Sequence, residues 1–155
     1  ERVPSLVERL VETMALGSRE WVTSTATAKR QPTDEQLVEM TKHIVEEAIA
    51  RGPIVLVGRG AQSMLAERAD ALHVLCHAPR AALVARVMRR DNLDDAAAAK
   101  LVDETNSHRE QWVKKHWSRE WRDPASYHLS TNTDWLGIDG AVNLIVFAAR
   151  QRFKL

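Results

Sequence analysis

The chain has 155 residues, a formal net charge of +1 and a charged fraction of 28%. A chain of this length can bury one hydrophobic core, so we expect a single domain over residues 1–155. The near-zero net charge argues against a general nucleic-acid-coating protein and against a disordered tail. No run approaches the ~20 apolar residues of a transmembrane helix, so no membrane partner is expected.

Cys76 is the single cysteine of the sequence, and it lies within an apolar run. Because it has no second cysteine to pair with, it favours a reducing compartment, and we expect a cytoplasmic protein. No pattern of a cysteine nucleophile surrounds Cys76, so its thiol is predicted to be buried and inert. The six histidines show no metal-site spacing, and no metal ligand is predicted.

The first third of the chain predicts two helices separated by a loop. Apolar residues fall at helical spacing over residues 6–14, and residues 18–31 are rich in Ser, Thr and Arg. Thr33 and Gln36 have the spacing of a capping box, which predicts the start of the second helix. That helix is expected to end at Gly52, which precedes a proline.

Beyond residue 53 the sequence alternates between strand and helix patterns. The strand candidates are continuous apolar runs, which are typical of strands covered on both faces. We predict strands over 54–57, 72–76 and 127–131, and helices from Pro79, from 94 or 95 to about Trp121, and over 139–153 with Val142, Ile145 and Val146 inward.

This order favours an α/β fold with a parallel sheet flanked by helices. Three strands are few for so many helices, and the sequence shows no strand ending in a glycine-rich phosphate-binding loop ahead of them. We therefore expect the sheet to be incomplete at its N-terminal side, with the absent strand and loop upstream of Glu1. Ligands bind at the carboxyl ends of strands in such sheets, which directs attention to residues 58–60, 77–79 and 132–134.

Gly58, Arg59 and Gly60 directly follow a predicted strand. The glycines permit backbone angles that other residues avoid. Arg59 can bind a phosphate with its forked guanidinium, and Gln62 can read the edge of a base. The same pattern is also typical of an ordinary strand-to-helix turn with a surface arginine.

Arg86, Arg89 and Arg90 are three and four residues apart, so they share one helix face. An arginine cluster that faces a cleft can neutralise a transferring phosphate. A solvated basic face is the other interpretation, and helix geometry alone does not decide between the two.

The long helix carries a polar pair, Asn106 and Arg109, on an otherwise apolar stripe. Such a pair needs a partner, which is either a ligand or a carboxylate such as Asp103. Three tryptophans lie among basic residues over 112–122. They could stack on nucleic-acid bases, but tryptophans at this spacing more typically pack one helix onto its neighbour.

Taken together, these motifs resemble the cytidylate kinase-like family, a nucleoside monophosphate kinase branch with the P-loop fold. The resemblance implies phosphoryl transfer from ATP to a CMP-like or dCMP-like acceptor with Mg²⁺, and makes residues 91–122 the lid and long helix. The segments that carry it follow one colinear order and are residues 57–65, 68–79, 86–90, 103–117 and 122–137.

For the acceptor, the resemblance implies that Arg59 binds the phosphate and that Gln62 lies near it. Arg109 would contact the acceptor nucleotide or its phosphate. The family commonly has Asp at the position of Asn106, where a carboxylate can accept from the amino group of cytosine. Asn106 lacks that charge, which leaves the acceptor base open.

For the donor, the resemblance implies catalytic roles for Arg86 and Arg90, which would flank the lid and reach the donor phosphates. The resemblance also implies that turns at two strand ends bind nucleotide. One turn contains Gly58 and Gly60. The other contains Asn132 and Thr133, which would lie near the donor base.

Three functions remain compatible with the sequence. The first is a nucleotide kinase, with ATP and a nucleoside monophosphate as partners, whose transfer requires the upstream loop and fails in this chain alone. The second is a catalytically inactive nucleotide-binding module that serves regulation or assembly. The third is an RNA-binding or scaffold protein using residues 112–122, against which the near-zero charge argues. A homo-oligomer is left open.

Overall fold

The computed structural model describes residues 33–154, which fall in two compact units that divide between Val55 and Leu56. The helix predicted over 6–14 and the loop over 18–31 lie outside the described residues. Among residues 33–154, none of the helices combines the length and apolar character that crossing a membrane requires.

In the first unit, helix α1 spans Asp34–Arg51. The capping box is confirmed, because the Thr33 hydroxyl accepts from the Gln36 backbone N–H at 3.3 Å and Gln36 Oε1 accepts from the Thr33 N–H at 2.9 Å. The predicted stop is also confirmed. Gly52 has a φ of 144°, and its N–H donates to the Ile49 carbonyl at 3.1 Å.

Residues 53–57 form neither helix nor strand. Val55 and Val57 are 92% and 89% exposed, although the sequence predicts a strand covered on both faces. That strand prediction is wrong. Strand propensity reflects packing on neighbouring strands, and no strand among the described residues pairs with this run.

The second unit alternates helices and strands, and its two strands pair in parallel with His77 opposite Asn132. The predicted parallel sheet flanked by helices is confirmed for these two strands. In chain order the elements are α2 (Ala61–Met64), β1 (Val74–His77), α3 (Arg80–Asp91), α4 (Asp95–Trp117), a 3₁₀ turn (Pro124–Ser126), β2 (Leu129–Asn132) and α5 (Gly137–Phe153).

Both strands begin two residues later than predicted. The cause is a pair of reciprocal hydrogen bonds between the residues that precede the two strands, His73 and His128. The His73 N–H donates to His128 Nδ1 at 3.0 Å, and the His128 N–H donates to the His73 carbonyl at 2.8 Å. The rings stack with their centroids 5.1 Å apart. This histidine pair therefore joins the amino ends of β1 and β2.

Helix α4 ends at Trp117, earlier than the predicted end near Trp121. Ser118 takes a left-handed conformation with a φ of 53°, and its N–H bonds to the Lys114 carbonyl at 3.0 Å. The predicted start is confirmed, since the Asp94 carboxylate caps the helix by accepting from the Ala97 N–H at 2.8 Å.

The core of the second unit lies between α3 and α4. Val84 from α3 packs with Ala98 and Val102 from α4, and all three are buried. Burial of such side chains supplies most of the favourable free energy of packing. This contact fixes the first half of α3 against the first third of α4, and thereby places polar residues from both helices side by side.

Two burial predictions are wrong. Cys76 is exposed, because the last two residues of β1 are not covered by other described residues. On α5 the buried residue is Ala141, whereas Val142 and Val146 are 49% and 42% exposed. Ile145 is half-buried, so the prediction of an inward-facing side chain is wrong for Val142 and Val146 but not for Ile145.

Candidate functional site

The turn of residues 58–60 places three consecutive residues in the left-handed region. Their φ angles are 74° at Gly58, 57° at Arg59 and 68° at Gly60. The conformation is free for glycine but costs an arginine about 1 kcal/mol. Backbone strain of this kind is typical of functional sites. Arg59 is exposed, and no group in residues 33–154 bonds to its guanidinium.

Gly60 is held close to the end of α4. A Cβ at this position would lie 2.5 Å from Trp117 Cζ3 and 2.7 Å from Cη2. Only a glycine fits there without displacing the indole ring. The packing role predicted for the tryptophans is confirmed at Trp117, and this contact fixes the Arg59 turn against α4.

Both the nitrogen and the oxygen of the Gln62 side-chain amide make hydrogen bonds within the protein. Its Nε2 donates to the Ser126 carbonyl at 2.7 Å, and its Oε1 accepts from the Ser63 hydroxyl at 3.0 Å. Reading an acceptor base would require at least one of these bonds to break. The observed bonds tie α2 to the 3₁₀ turn, and the role of Gln62 near an acceptor stays a prediction.

Two guanidinium groups lie within cation–π distance of the Trp121 ring. The guanidinium carbons of Arg109 and Arg122 lie 5.6 and 5.0 Å from its centroid. Arg109 Nη1 also lies 3.5 Å from Asn106 Oδ1, a long contact. Tyr127 donates to the Trp121 carbonyl at 2.7 Å, and burial raises the pKa of that phenol.

A cleft of about 270 Å³ opens beside the carboxyl end of β1. In its wall the Arg80 guanidinium forks onto both oxygens of Asp103 at 2.9 and 2.6 Å. These hydrogen bonds hold the pKa of the Asp103 carboxyl below its usual range. The volume is near the lower end of ligand pockets, about 300 Å³. The lining residues are Ala78, Arg80, Leu83, Asp103, Asn106, Ser107, Glu110 and Arg122.

The sequence predicted that Asn106 and Arg109 would pair with a ligand or with a carboxylate such as Asp103. Asp103 is exposed and is engaged by Arg80 rather than by either residue. Asn106 and Arg109 contact one another instead. Arg80 was not among the residues predicted from the sequence to form a site. The signal was its position, directly after Pro79 at the start of a helix that follows a strand.

A second group of residues meets at the carboxyl ends of β1 and β2. Arg86 from α3 donates from Nη1 to the Thr133 hydroxyl and from Nη2 to the Thr133 carbonyl, each at 2.8 Å. Asn132 closes the turn after β2, since its Oδ1 accepts from the N–H groups of Asp134 and Trp135 at 3.0 and 3.2 Å. The fold thus brings the predicted residues Arg86, Asn132 and Thr133 together.

Arg90 does not join that group. Its Nε and Nη2 donate to the two oxygens of the adjacent Asp91 at 2.8 and 2.7 Å, and its side chain is exposed. Within residues 33–154, no three His, Cys, Asp or Glu side chains lie together in a way that could hold a metal ion.

Comparison with known proteins shows the family and finds a solved structure of similar fold. No curated protein matches the chain. Among solved structures, the chain is similar to an uncharacterized protein from Eubacterium ventriosum ATCC 27560, with a TM-score of 0.70 and 17% identity over 76% of this chain and 74% of that one. A model of the cytidylate kinase-like family matches residues 2–135. The match covers most of the chain and includes the Arg59 turn, the cleft and the strand-end turn, so the chain belongs to the cytidylate kinase-like family.

Proposed function

We propose that this protein transfers a phosphoryl group from ATP to a nucleoside monophosphate, with CMP or dCMP as the first acceptor to test, on a P-loop kinase fold. Family membership supports a kinase-like, nucleotide-related function. The observation that carries the proposal further is the Arg59 turn. It presents an exposed guanidinium from a strained backbone that packing on Trp117 holds in place.

In this proposal Arg59 binds the acceptor phosphate. A guanidinium can donate two parallel N–H bonds to phosphate oxygens, which fixes both distance and orientation. The left-handed turn is already formed, so binding does not have to order it. Phosphoryl transfer depends mainly on positioning and charge neutralisation, and a preformed turn serves both.

The acceptor nucleoside is assigned to the α4 side of the cleft. Asn106 lies in its wall and Arg109 is held over Trp121 beside it. A side-chain amide both donates and accepts a hydrogen bond. Asn106 is therefore compatible with the amino group of cytosine and with the carbonyl of uracil. Selectivity between pyrimidines is expected to be weaker than with a carboxylate in its place.

Magnesium fits this site only as an ion carried by the donor. The described residues supply no acidic cluster for it, but Mg²⁺ commonly binds through substrate phosphates with few protein ligands. When bound on ATP it would neutralise phosphate charge. Donor phosphates in such enzymes are cradled by backbone N–H groups of a glycine-rich loop, which is not among residues 33–154.

The test is a nucleotide kinase assay on the full-length protein as it occurs in the cell. ATP and Mg²⁺ are incubated with CMP, dCMP, UMP or AMP, and the nucleotides are separated by chromatography. We expect ADP and the acceptor diphosphate in equal amounts, with CMP and UMP differing by less than about tenfold. The absence of acceptor-dependent ADP with every acceptor would contradict the proposal.

One observation favours the second function, a nucleotide-binding module without turnover. Both arginines predicted to be catalytic bond to the protein itself, Arg86 to Thr133 and Arg90 to Asp91. Calorimetry that finds CMP binding in a protein with no transfer would support this function over the kinase. Stacking on RNA is not supported at Trp117, whose ring is packed on Gly60.

A further inference from the structure

Of the two arginines predicted to be catalytic, Arg86 is the one whose guanidinium bonds to a residue distant in the sequence. Its side chain is one-third exposed, at 33%, and two of its N–H groups point at one residue, Thr133. The Asp134 carboxylate lies 3.9 Å from Nη2 and offsets part of the positive charge. The forked geometry that could receive a phosphate is thus directed at the protein.

Thr133 connects Arg86 to the sheet through hydrogen bonds to β1. It is buried, its hydroxyl lies 3.1 Å from the His77 carbonyl and its backbone N–H donates to the same carbonyl at 2.8 Å. The hydroxyl has one proton, which goes to His77, and a lone pair, which accepts from Arg86. A continuous chain of hydrogen bonds therefore runs from α3 through Thr133 to the last residue of β1.

Apart from the contact with Arg86 and the two Thr133 bonds to the His77 carbonyl, the hydrogen bonds of the turn are local. Asn132 accepts from two backbone N–H groups within the turn, which sets its shape but does not attach it to α3. Trp135, at the end of the turn, is 83% exposed. Among the described contacts, Arg86 is what connects residues 132–135 to the helix beside them.

We propose that Arg86 is a positioning residue, which holds the turn of residues 132–135 against the end of β1 and acts on the donor nucleotide through that turn. The identity of the ligand rests on the proposed function. The mechanical part, that Arg86 and Thr133 order the turn as one unit, stands on the hydrogen bonds alone. Ligands bind at the carboxyl ends of parallel strands, so the turn lies where a donor would meet it.

The mechanical part is tested by hydrogen–deuterium exchange of the full-length protein without nucleotide. Arg86→Met and Thr133→Val each remove one partner, and both are expected to speed exchange in residues 133–136 about tenfold. Arg89→Met removes an exposed charge from the same helix and serves as the control. Unchanged exchange at the turn in Arg86→Met, in a variant with a wild-type circular dichroism spectrum, overturns the proposal.

The functional part is tested by steady-state kinetics on the same variants. A positioning role predicts that Arg86→Met and Thr133→Val raise KM for ATP about tenfold, with kcat and acceptor KM little changed. The double variant should be no worse than the poorer single one. Thr133→Ser keeps the hydroxyl and should restore KM.

The outcomes separate this inference from the proposed function. If Arg86→Met lowers kcat a hundredfold while Thr133→Val does not, Arg86 touches the transferring phosphate and the positioning role is wrong. If the wild-type protein neither transfers nor binds ATP, the proposed function fails. The exchange experiment still decides whether Arg86 orders the turn.

Discussion

Two of the three strand-end segments that the sequence marks as candidate ligand sites differ in the role of the nearby arginine. At residues 58–60, the fold holds the backbone and leaves the Arg59 side chain exposed. At residues 132–134, the guanidinium of Arg86, which lies on α3, bonds to Thr133 and holds the turn. The difference teaches that a basic residue near a strand end is available to a ligand only when packing, rather than the residue itself, orders the turn.

The largest expected effect tests whether packing orders the first turn. Gly60→Ala adds a Cβ 2.5 Å from the Trp117 ring at a φ of 68°, so we expect it to destabilise the protein by about 3 kcal/mol through overpacking and backbone strain. Gly58→Ala has a φ of 74° but open space around the Cβ, and should cost about 1 kcal/mol. Urea unfolding measures both.

Equal destabilisation by the two alanines would mean that the Trp117 contact does not hold the turn. The comparison between the turns would then lose its basis, since both would depend on backbone preference alone.

The second effect tests whether Arg59 is free for a ligand. Arg59→Ala should weaken binding of a nucleoside monophosphate about thirtyfold, because a charge-assisted hydrogen bond to phosphate is lost. Its melting temperature should stay close to that of the wild type. Arg90→Ala is the matched control, since Arg90 is exposed but paired with Asp91. Isothermal calorimetry and thermal melts measure the two quantities.

If Arg59→Ala unfolds the protein and leaves the residual affinity unchanged, the Arg59 turn is structural and the assignment of the acceptor phosphate is wrong. A loss of affinity in Arg90→Ala as large as in Arg59→Ala would show general electrostatic attraction rather than a defined site.

The smallest expected effect is on the pH dependence of stability, and it arises at the amino ends of β1 and β2. Burial and the neighbouring His128 lower the pKa of His73 from its usual 6.5, and Arg119 adds to this. The folded protein thus binds fewer protons than the unfolded chain. The stability that results is complete above pH 6.5 and falls as the pH drops below it.

Thermal melts between pH 7.5 and 5, set around the ordinary histidine pKa of about 6.5, should show a midpoint that falls by a few degrees on acidification. His73→Gln should lessen that fall, since an amide can still donate towards the Leu65 carbonyl that lies 3.2 Å from His73 Nε2. His108→Gln, on the exposed surface of α4, should not. A fall that is the same in all three proteins would exclude the histidine pair as its cause.

The sequence predicted those features that neighbouring residues determine. The capping box at Thr33, the stop at Gly52 and the cap at Asp94 all depend on residues within one turn of helix, and all were confirmed. The strand over 54–57 was wrong because a strand requires a partner that the local sequence does not contain.

The site was predicted less completely for the same reason. Arg59, Arg86 and Arg90 look alike in the sequence, and what separates them is contact with distant residues. Arg86 meets Thr133, 47 residues further along the chain, and the Arg59 turn meets Trp117. The side-by-side placement of Arg80 and Asp103 depends in turn on how α3 packs on α4.

The left-handed backbone at Arg59 has an evolutionary consequence. Glycine would adopt a φ of 57° without strain, so replacing Arg59 by glycine should make the chain more stable as it removes the guanidinium. Selection for stability alone would favour glycine at this position. If Arg59 binds the acceptor phosphate as proposed, an arginine retained at this position reflects selection on its side chain rather than on stability.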